Sequence, residues 1–269
     1  MTSPPSAPDN PIGVFDSGIG GLSVLRALRA HLPAEDFLYI ADSAHAPYGE
    51  KPEKDIRDRC FALCDTLLAR NAKAIVIACN TATAVALAAL RAYYSVPIIA
   101  LEPAVKPAIA ATHSKIIGVL ATRRTLESRR FQELAARFAD QARIIPQPCP
   151  TLVTLLESGD RDSPAMTAAI RSYIDPLLAA GADTPVLGCT HFVFLHEQIQ
   201  AAAGPATRLV DSSAGVARNL HNRLQTASLL KTGATPGTES FWSTAATPQM
   251  QNIMQRLWPT PLKLESLNP

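Results

Sequence analysis

Short apolar and β-branched runs recur along the chain at Ile12 to Phe15, Phe37 to Ile40, Ala74 to Ala78, Pro97 to Leu101, Lys115 to Leu120, Ala142 to Ile145, Pro185 to Leu187 and Arg208 to Val210. Between two of them, Ile56, Cys60, Leu63, Cys64, Leu67 and Leu68 fall at helical spacing and predict an amphipathic helix. Further helices are predicted over Leu22 to Ala30, Thr81 to Tyr94, Thr125 to Phe138, Pro164 to Ala180 and Ala214 to Gln225. Short strands alternating with longer helices predict an α/β fold with mainly parallel central sheets.

The pattern also repeats. Ile12-Gly13-Val14-Phe15-Asp16-Ser17 is matched by Ile117-Gly118-Val119-Leu120-Ala121-Thr122, each a strand ending at a hydroxyl residue. Each strand then leads to a cysteine: Cys79 in Ile77-Ala78-Cys79-Asn80-Thr81, and Cys189 in Leu187-Gly188-Cys189-Thr190-His191. Two related α/β domains are expected, one of residues 1–101 with 211–269 and the other of residues 102–210. The return to the first is marked by Asp211-Ser212-Ser213, another acid and hydroxyls at a strand end. In open parallel sheets ligands bind beyond the carboxyl ends of the strands, so halves packed mouth to mouth would share one active-site crevice.

Composition narrows the function classes. Apolar residues make up 47% of the 269 positions and charged residues 18%, which is ample for a buried core. A formal charge of +2 and the lack of any arginine- or lysine-rich run exclude nucleic acid as the main partner. The longest apolar stretches, Ala74 to Cys79 and Ala82 to Leu90, are too short to cross a bilayer, so no membrane association is expected. Residues 1–10 are polar and proline-rich, without the features of a secretory signal, and read as a loose tail. Five cysteines, an odd number, fit reduced thiols in a cytoplasmic protein better than a disulfide framework.

Several motifs carry candidate chemistry. Val14 to Ser23 reads as strand, glycine-rich turn and helix start, whose amides could hold an anion; close packing at the glycines and an N-cap role for Asp16 are the alternatives. A dinucleotide fingerprint is incomplete because Ser23 stands where the third glycine belongs, and no Walker lysine follows. Asp42 and His45 are expected to bond within their own loop, and Pro47-Tyr48-Gly49 either presents amides to a carboxylate or forms an ordinary turn. A lone cysteine ending an apolar strand is more often packing than chemistry. Cys79 and Cys189 differ in their polar followers, Asn80-Thr81 and Thr190-His191. Packing suffices for Cys60, Cys64 and Cys149. A metal site from Cys189, His191 and His196 lacks a fourth ligand and a usual zinc spacing. A Cys189/His191 nucleophile pair, with both side chains on the same side of an extended segment, leaves Cys79 unexplained.

Taken together, Asp16 to Ser23, Pro47-Tyr48-Gly49, Ala78 to Thr81 and Gly188 to His191 resemble the glutamate racemase family in order and spacing. The likeness runs from about Ile12 to Leu224, with a thinner match at a strand around Phe241-Trp242 and the helix after it. The resemblance implies two pseudo-twofold-related α/β domains, a homodimer, and interconversion of L- and D-glutamate for bacterial peptidoglycan without pyridoxal phosphate, metal or other cofactor. By similarity Cys79 takes the α-proton of D-glutamate and Cys189 that of L-glutamate. Asp16 and Ser17 would support Cys79, and Glu157 and His191 would support Cys189. Pro47, Tyr48, Gly49, Asn80, Thr81, Thr122 and Thr190, with Asp16 and Ser17, would hold the substrate. Arg123 and Arg124 depart from the family's smaller residues beside Thr122, and Ser43 and His45 depart in the loop after Asp42.

The chemistry explains why the thiols come in pairs. Racemisation removes a weakly acidic proton from one face of Cα and returns one to the other, so a thiolate and a thiol on opposite faces avoid moving a single base around the substrate. Ionising one thiol at neutral pH costs on the order of 2 kcal/mol from a reference pKa of about 8.5, so stabilising carbanionic charge is the harder task. Rival readings are a racemase or decarboxylase of another acid, and a non-catalytic binder of an acidic amino acid. A pyridoxal-phosphate enzyme would need an imine-forming lysine and a phosphate cradle, and no lysine stands in such a motif.

Overall fold

The computed structural model describes residues 7–269. It forms two compact units, one containing the described residues up to Leu101 with Ser213–Pro269, the other Glu102–Ser212. The first unit begins β1 (Ile12–Asp16), α1 (Leu22–His31), β2 (Phe37–Ala41), α2 (Glu53–Leu68), β3 (Ala74–Ile77), α3 (Asn80–Tyr93) and β4 (Ile98–Ala100). The second runs α4 (Val105–Ala111), β5 (Ile116–Ala121), α5 (Arg123–Glu127), α6 (Arg129–Ala136), β6 (Arg143–Pro148), α7 (Pro150–Glu157), α8 (Pro164–Ala179), β7 (Thr184–Leu187) and α9 (His196–Ala203). The chain then completes the first unit with α10 (Ser213–Thr226), β8 (Glu239–Ser243), α11 (Pro248–Leu257) and β9 (Leu264–Ser266).

All strand pairings in both sheets are parallel, in the orders β4-β3-β1-β2-β8-β9 and β6-β5-β7. Central strands of such sheets are covered on both faces and favour near-continuous apolar runs, as in the buried β1 and β3 of the first sheet and in β5 of the second, buried from Ile117 onward. In the first unit α2 contributes Ile56, Cys60, Leu63, Cys64 and Leu67, and α3 contributes Ala82, Ala86 and Leu90, against Phe15, Ile75 and Ile77. Each fully buried aliphatic side chain of this kind stabilises the fold by about 1.5–3 kcal/mol. In the second unit α7 and α8 pack Leu152, Leu156, Ile170, Ile174 and Leu177 on one face of the sheet, while Val105, Ala108, Phe131 and Leu134 cover the other. Pro146 and Pro148 are tolerated in β6 because it is an edge strand.

The two units share a strand plan: β3-β1-β2 in one corresponds to β7-β5-β6 in the other. The repeated glycines serve the same purpose in each. A Cβ on Gly13 would lie 2.8 Å from Leu67 Cδ1 of α2, and one on Gly118 would lie 2.5 Å from Leu177 Cδ1 of α8, so each glycine lets a covering helix approach its central strand.

Some expectations are corrected. Arg208 to Val210 is not a strand: only Val210 forms a single parallel bridge, to Val186, leaving this counterpart of β4 unextended. The helix predicted over Thr125 to Phe138 is two, because Ser128 adopts an extended conformation and its Oγ accepts from Phe131 N at 3.2 Å, stopping α5 and capping α6. The return to the first unit falls at Ser213, where α10 starts, rather than at Asp211. Of the tail, residues before 7 lie outside the described residues. The rest is not loose, since Asn10 N donates to Ala7 O at 3.0 Å and Pro8 O accepts from the buried Lys73. The pattern of apolar positions also left unpredicted α4, α7, α9 and β9, which are short.

Candidate active site

In the first unit Cys79 follows β3 and is the N-cap of α3, in extended conformation, with Ala82 N donating to its sulfur at 3.4 Å. The amino end of this 14-residue helix carries the positive end of the helix dipole and favours an anion. The neighbouring strand β1 ends at Asp16, fully buried, followed by Ser17. Cys79 Sγ donates to Ser17 Oγ at 3.6 Å, and Ser17 Oγ donates to Asp16 Oδ1 at 3.3 Å, so thiol, hydroxyl and carboxylate form a line. Ser17 N also donates to Asp16 Oδ1, at 2.7 Å. Asn80 and Thr81 open α3 beside the thiol and are buried. Asn80 Oδ1 has no hydrogen-bond partner among the described residues.

In the second unit Cys189 follows β7 and is likewise extended, but it caps only a 3-10 turn, Thr190–Leu195, and its side chain accepts no capping bond. The segment does not stay extended past Cys189, as a same-side reading of residues 189 and 191 required; the His191 ring still reaches the sulfur, with Nδ1 at 3.8 Å. On its other side His191 Nε2 lies 2.6 Å from Glu157 Oε1, at the carboxyl end of α7. Full burial alone would press the imidazole toward neutrality. The hydrogen bonds to Cys189 and Glu157 outweigh it and hold His191 well above the ordinary histidine range. Thr190 is buried in the same turn.

Thr122 follows β5 as the N-cap of α5; its Oγ1 accepts from Thr125 N at 3.2 Å and lies 2.9 Å from Thr125 Oγ1. Arg123 turns outward to within 3.8 Å of Glu127 and is more than half exposed, so it leaves the threonine pair intact. In the first unit Pro47, Tyr48 and Gly49 lie in a turn after β2, with Tyr48 and Gly49 buried. Tyr48 shares a core cluster with Cys79, and burial, with the charge of Asp42 next, pushes its phenol far up. Asp42 and His45 do bond within their loop, at 2.9 Å. Cys60, Cys64 and Cys149 are fully buried, and loss of hydration pushes each thiol up, consistent with packing. Among the described residues no group of three or more His, Cys, Asp or Glu could hold a metal ion, and no helix is long and apolar enough to cross a membrane.

Comparison with known proteins gives this arrangement a family. A family model described as Asp/Glu/Hydantoin racemase matches residues 12–219. The chain belongs to the Asp/Glu/Hydantoin racemase family. Within it, the chain is similar to the glutamate racemase of Methylococcus capsulatus, at 48% identity over 93% of both chains. The Escherichia coli glutamate racemase solved with L-glutamate and the activator UDP-MurNAc-ala shares 36% identity at a TM-score of 0.80, over 96% of this chain and 98% of that one. The Francisella tularensis glutamate racemase solved with D-glutamate shares 26% identity at a TM-score of 0.83, over 97% and 98%. Membership of the racemase family makes this protein an isomerase and accounts for two α/β units with parallel sheets.

Motif reading missed residues whose side chains hold this part of the racemase together. Arg59 on α2 and Thr244 after β8 both bond Asp42, and Tyr39 OH donates to Gly18 O at 2.7 Å in the glycine turn. Their distance along the chain from the motifs they support, 202 residues for Thr244 and Asp42, leaves no local signal.

Proposed function

We propose that this protein interconverts L-glutamate and D-glutamate without a cofactor, with Cys79 acting on one face of Cα and Cys189 on the other. The observation that carries the reading is the matched pair of lines, Cys79–Ser17–Asp16 in one unit and Cys189–His191–Glu157 in the other. Each ends a thiol at a strand terminus and backs it with a group able to take up or release a proton and a carboxylate behind that. In the relatives glutamate is the named substrate, which supports the same substrate here.

In this reading the sulfur that abstracts is a thiolate and the opposite one a thiol, and the roles reverse for the other enantiomer. The amino end of α3 favours the anionic form of Cys79 by about 0.3–1 kcal/mol. A protonated His191, donating to Cys189 and to Glu157, does the corresponding work for the second thiol. Carbanionic charge develops next to the α-carboxylate, so hydroxyls and amides of Ser17, Asn80, Thr81, Thr122 and Thr190 and the Pro47-Tyr48-Gly49 turn are assigned to the substrate. Asn80 Oδ1, buried and unpaired among the described residues, suits an ammonium donor. We assign the product D-glutamate to peptidoglycan synthesis, and the protein to the cytoplasm as a homodimer.

The decisive experiment incubates each glutamate enantiomer with the protein in deuterated water and follows loss of the α-hydrogen signal, with aspartate as the competing substrate. Exchange and inversion from both enantiomers of glutamate are expected. Turnover of aspartate alone would displace the substrate assignment, and no exchange from any acid would leave only a binding protein.

A further inference from the structure

Resting on that reading, we propose that Arg59 and Thr244 are positioning residues for substrate binding, acting through the buried carboxylate of Asp42 to fix the Pro47-Tyr48-Gly49 turn beside Cys79. Asp42 follows β2 and is fully buried. A carboxylate removed from water persists as an anion only if its oxygens are paired. Arg59 supplies a fork, Nε donating to Oδ2 at 3.0 Å and Nη2 to Oδ1 at 2.9 Å. Thr244 Oγ1 donates to Oδ1 at 3.0 Å while accepting from Ala44 N at 3.0 Å. His45 completes the set on the loop itself.

The remaining bond gives the cluster its purpose. Tyr48 OH donates to Asp42 Oδ2 at 2.5 Å, a charge-assisted bond that anchors the middle residue of the turn. Tyr48 packs in the same cluster as Cys79, and its turn touches α3, the helix that Cys79 caps, so a shift of the turn is transmitted to the surroundings of the thiol. The hub is also tied to the strand end that carries Asp16, because Asp42 N donates to Asp16 O at 3.0 Å, and to β8, because Thr244 N donates to Ala41 O at 3.1 Å. Arg59 has a second, electrostatic effect. The substrate brings two carboxylates toward a site that carries a thiolate, and an unneutralised Asp42 would add repulsion where burial weakens screening. Lysine keeps the charge of Arg59 but not the planar fork, so it restores only part of the effect.

The test compares wild type with R59K, R59Q, the double variant D42N/R59Q, T244V and T244S. Expected for R59Q is a KM raised about tenfold in both directions with kcat changed less than about threefold, an intermediate value for R59K, and partial recovery in D42N/R59Q. T244V is expected to raise KM about threefold, with T244S returning it. A KM within twofold of wild type in both folded R59Q and R59K overturns the Arg59 assignment, and a D42N/R59Q no better than R59Q overturns its charge-compensating part. Should R59Q fail to fold, R59K decides. A second readout does not need turnover: the ring-carbon resonance bonded to the Tyr48 hydroxyl, assigned through Tyr48→Phe, shifts in R59K and T244V if the hub holds the turn and stays put if it does not. Wild type inactive on glutamate would defeat the substrate assignment while leaving this resonance to decide the positioning.

Discussion

The two thiols stand at equivalent strand ends and are served by different chemistry. Cys79 caps a 14-residue α-helix and leans on a hydroxyl backed by Asp16 at the end of the adjacent strand. Cys189 caps only a short 3-10 turn, and where the first unit has Asp16 the second has the apolar Ala121. Its carboxylate comes instead from Glu157 at the last position of α7, where a helix disfavours negative charge. His191, held above the ordinary histidine range, stands between that carboxylate and the thiol. Repetition of the strands thus preserved the place of the thiol, while the groups that back it differ between the units.

The largest effect expected from breaking the comparison is loss of either sulfur. Cys79→Ser and Cys189→Ser should each lower racemisation by about a thousandfold or more, because an alcohol is a far poorer base at neutral pH, with circular dichroism showing the fold retained. Near-normal turnover by either variant removes that thiol from the mechanism.

The relays come next and sharpen the difference. Glu157→Gln and Ser17→Ala should each lower kcat/KM by about ten- to a hundredfold. Enantiomers have an equilibrium constant of one, so the loss must be equal in both directions; the asymmetry lies in the isotope effect. Glu157→Gln should show the larger deuterium effect on 2-deuterio-L-glutamate and Ser17→Ala on 2-deuterio-D-glutamate. Equal effects on both substrates in either variant would break the assignment of that relay to one thiol.

Acidity offers a smaller, thermodynamic test. The folded state holds His191 above its ordinary range, so its proton contributes stability that is fully present below the unfolded value of about 6.5 and is lost as pH rises through the folded-state value. Urea unfolding of wild type and His191→Asn across pH should show a difference that shrinks on the alkaline side. A difference that grows there contradicts the protonated relay. Smallest of all, Gly13→Ala and Gly118→Ala should each destabilise by about 1–3 kcal/mol, since the new methyl meets a leucine side chain able to give way in part. A marked loss for only one of them, seen in thermal melts, would show that the repeated glycines have ceased to be equivalent.

Much of the fold was legible because it is written at short range. Buried parallel strands need runs such as Val14-Phe15 and Ala74 to Ile77, and α2 needs its apolar face, so period and length identified them. The helix across Thr125 to Phe138 was misread because a capping serine breaks it without disturbing the apolar spacing. Val210 kept only a bridge because an apolar run supplies no guarantee of a partner along its length.

What the sequence determined by itself is the alternation of strand and helix, the repeated strand end, and two thiols each followed by polar residues. Tertiary structure alone decided which distant groups meet around the motifs: Glu157 reaching His191 across 34 positions, and Arg59 and Thr244 converging on Asp42 from 17 and 202 positions away. Periodicity is a property of neighbours in the chain. The pairing of a buried carboxylate is a property of packing, settled only when separate elements close around it and water is excluded.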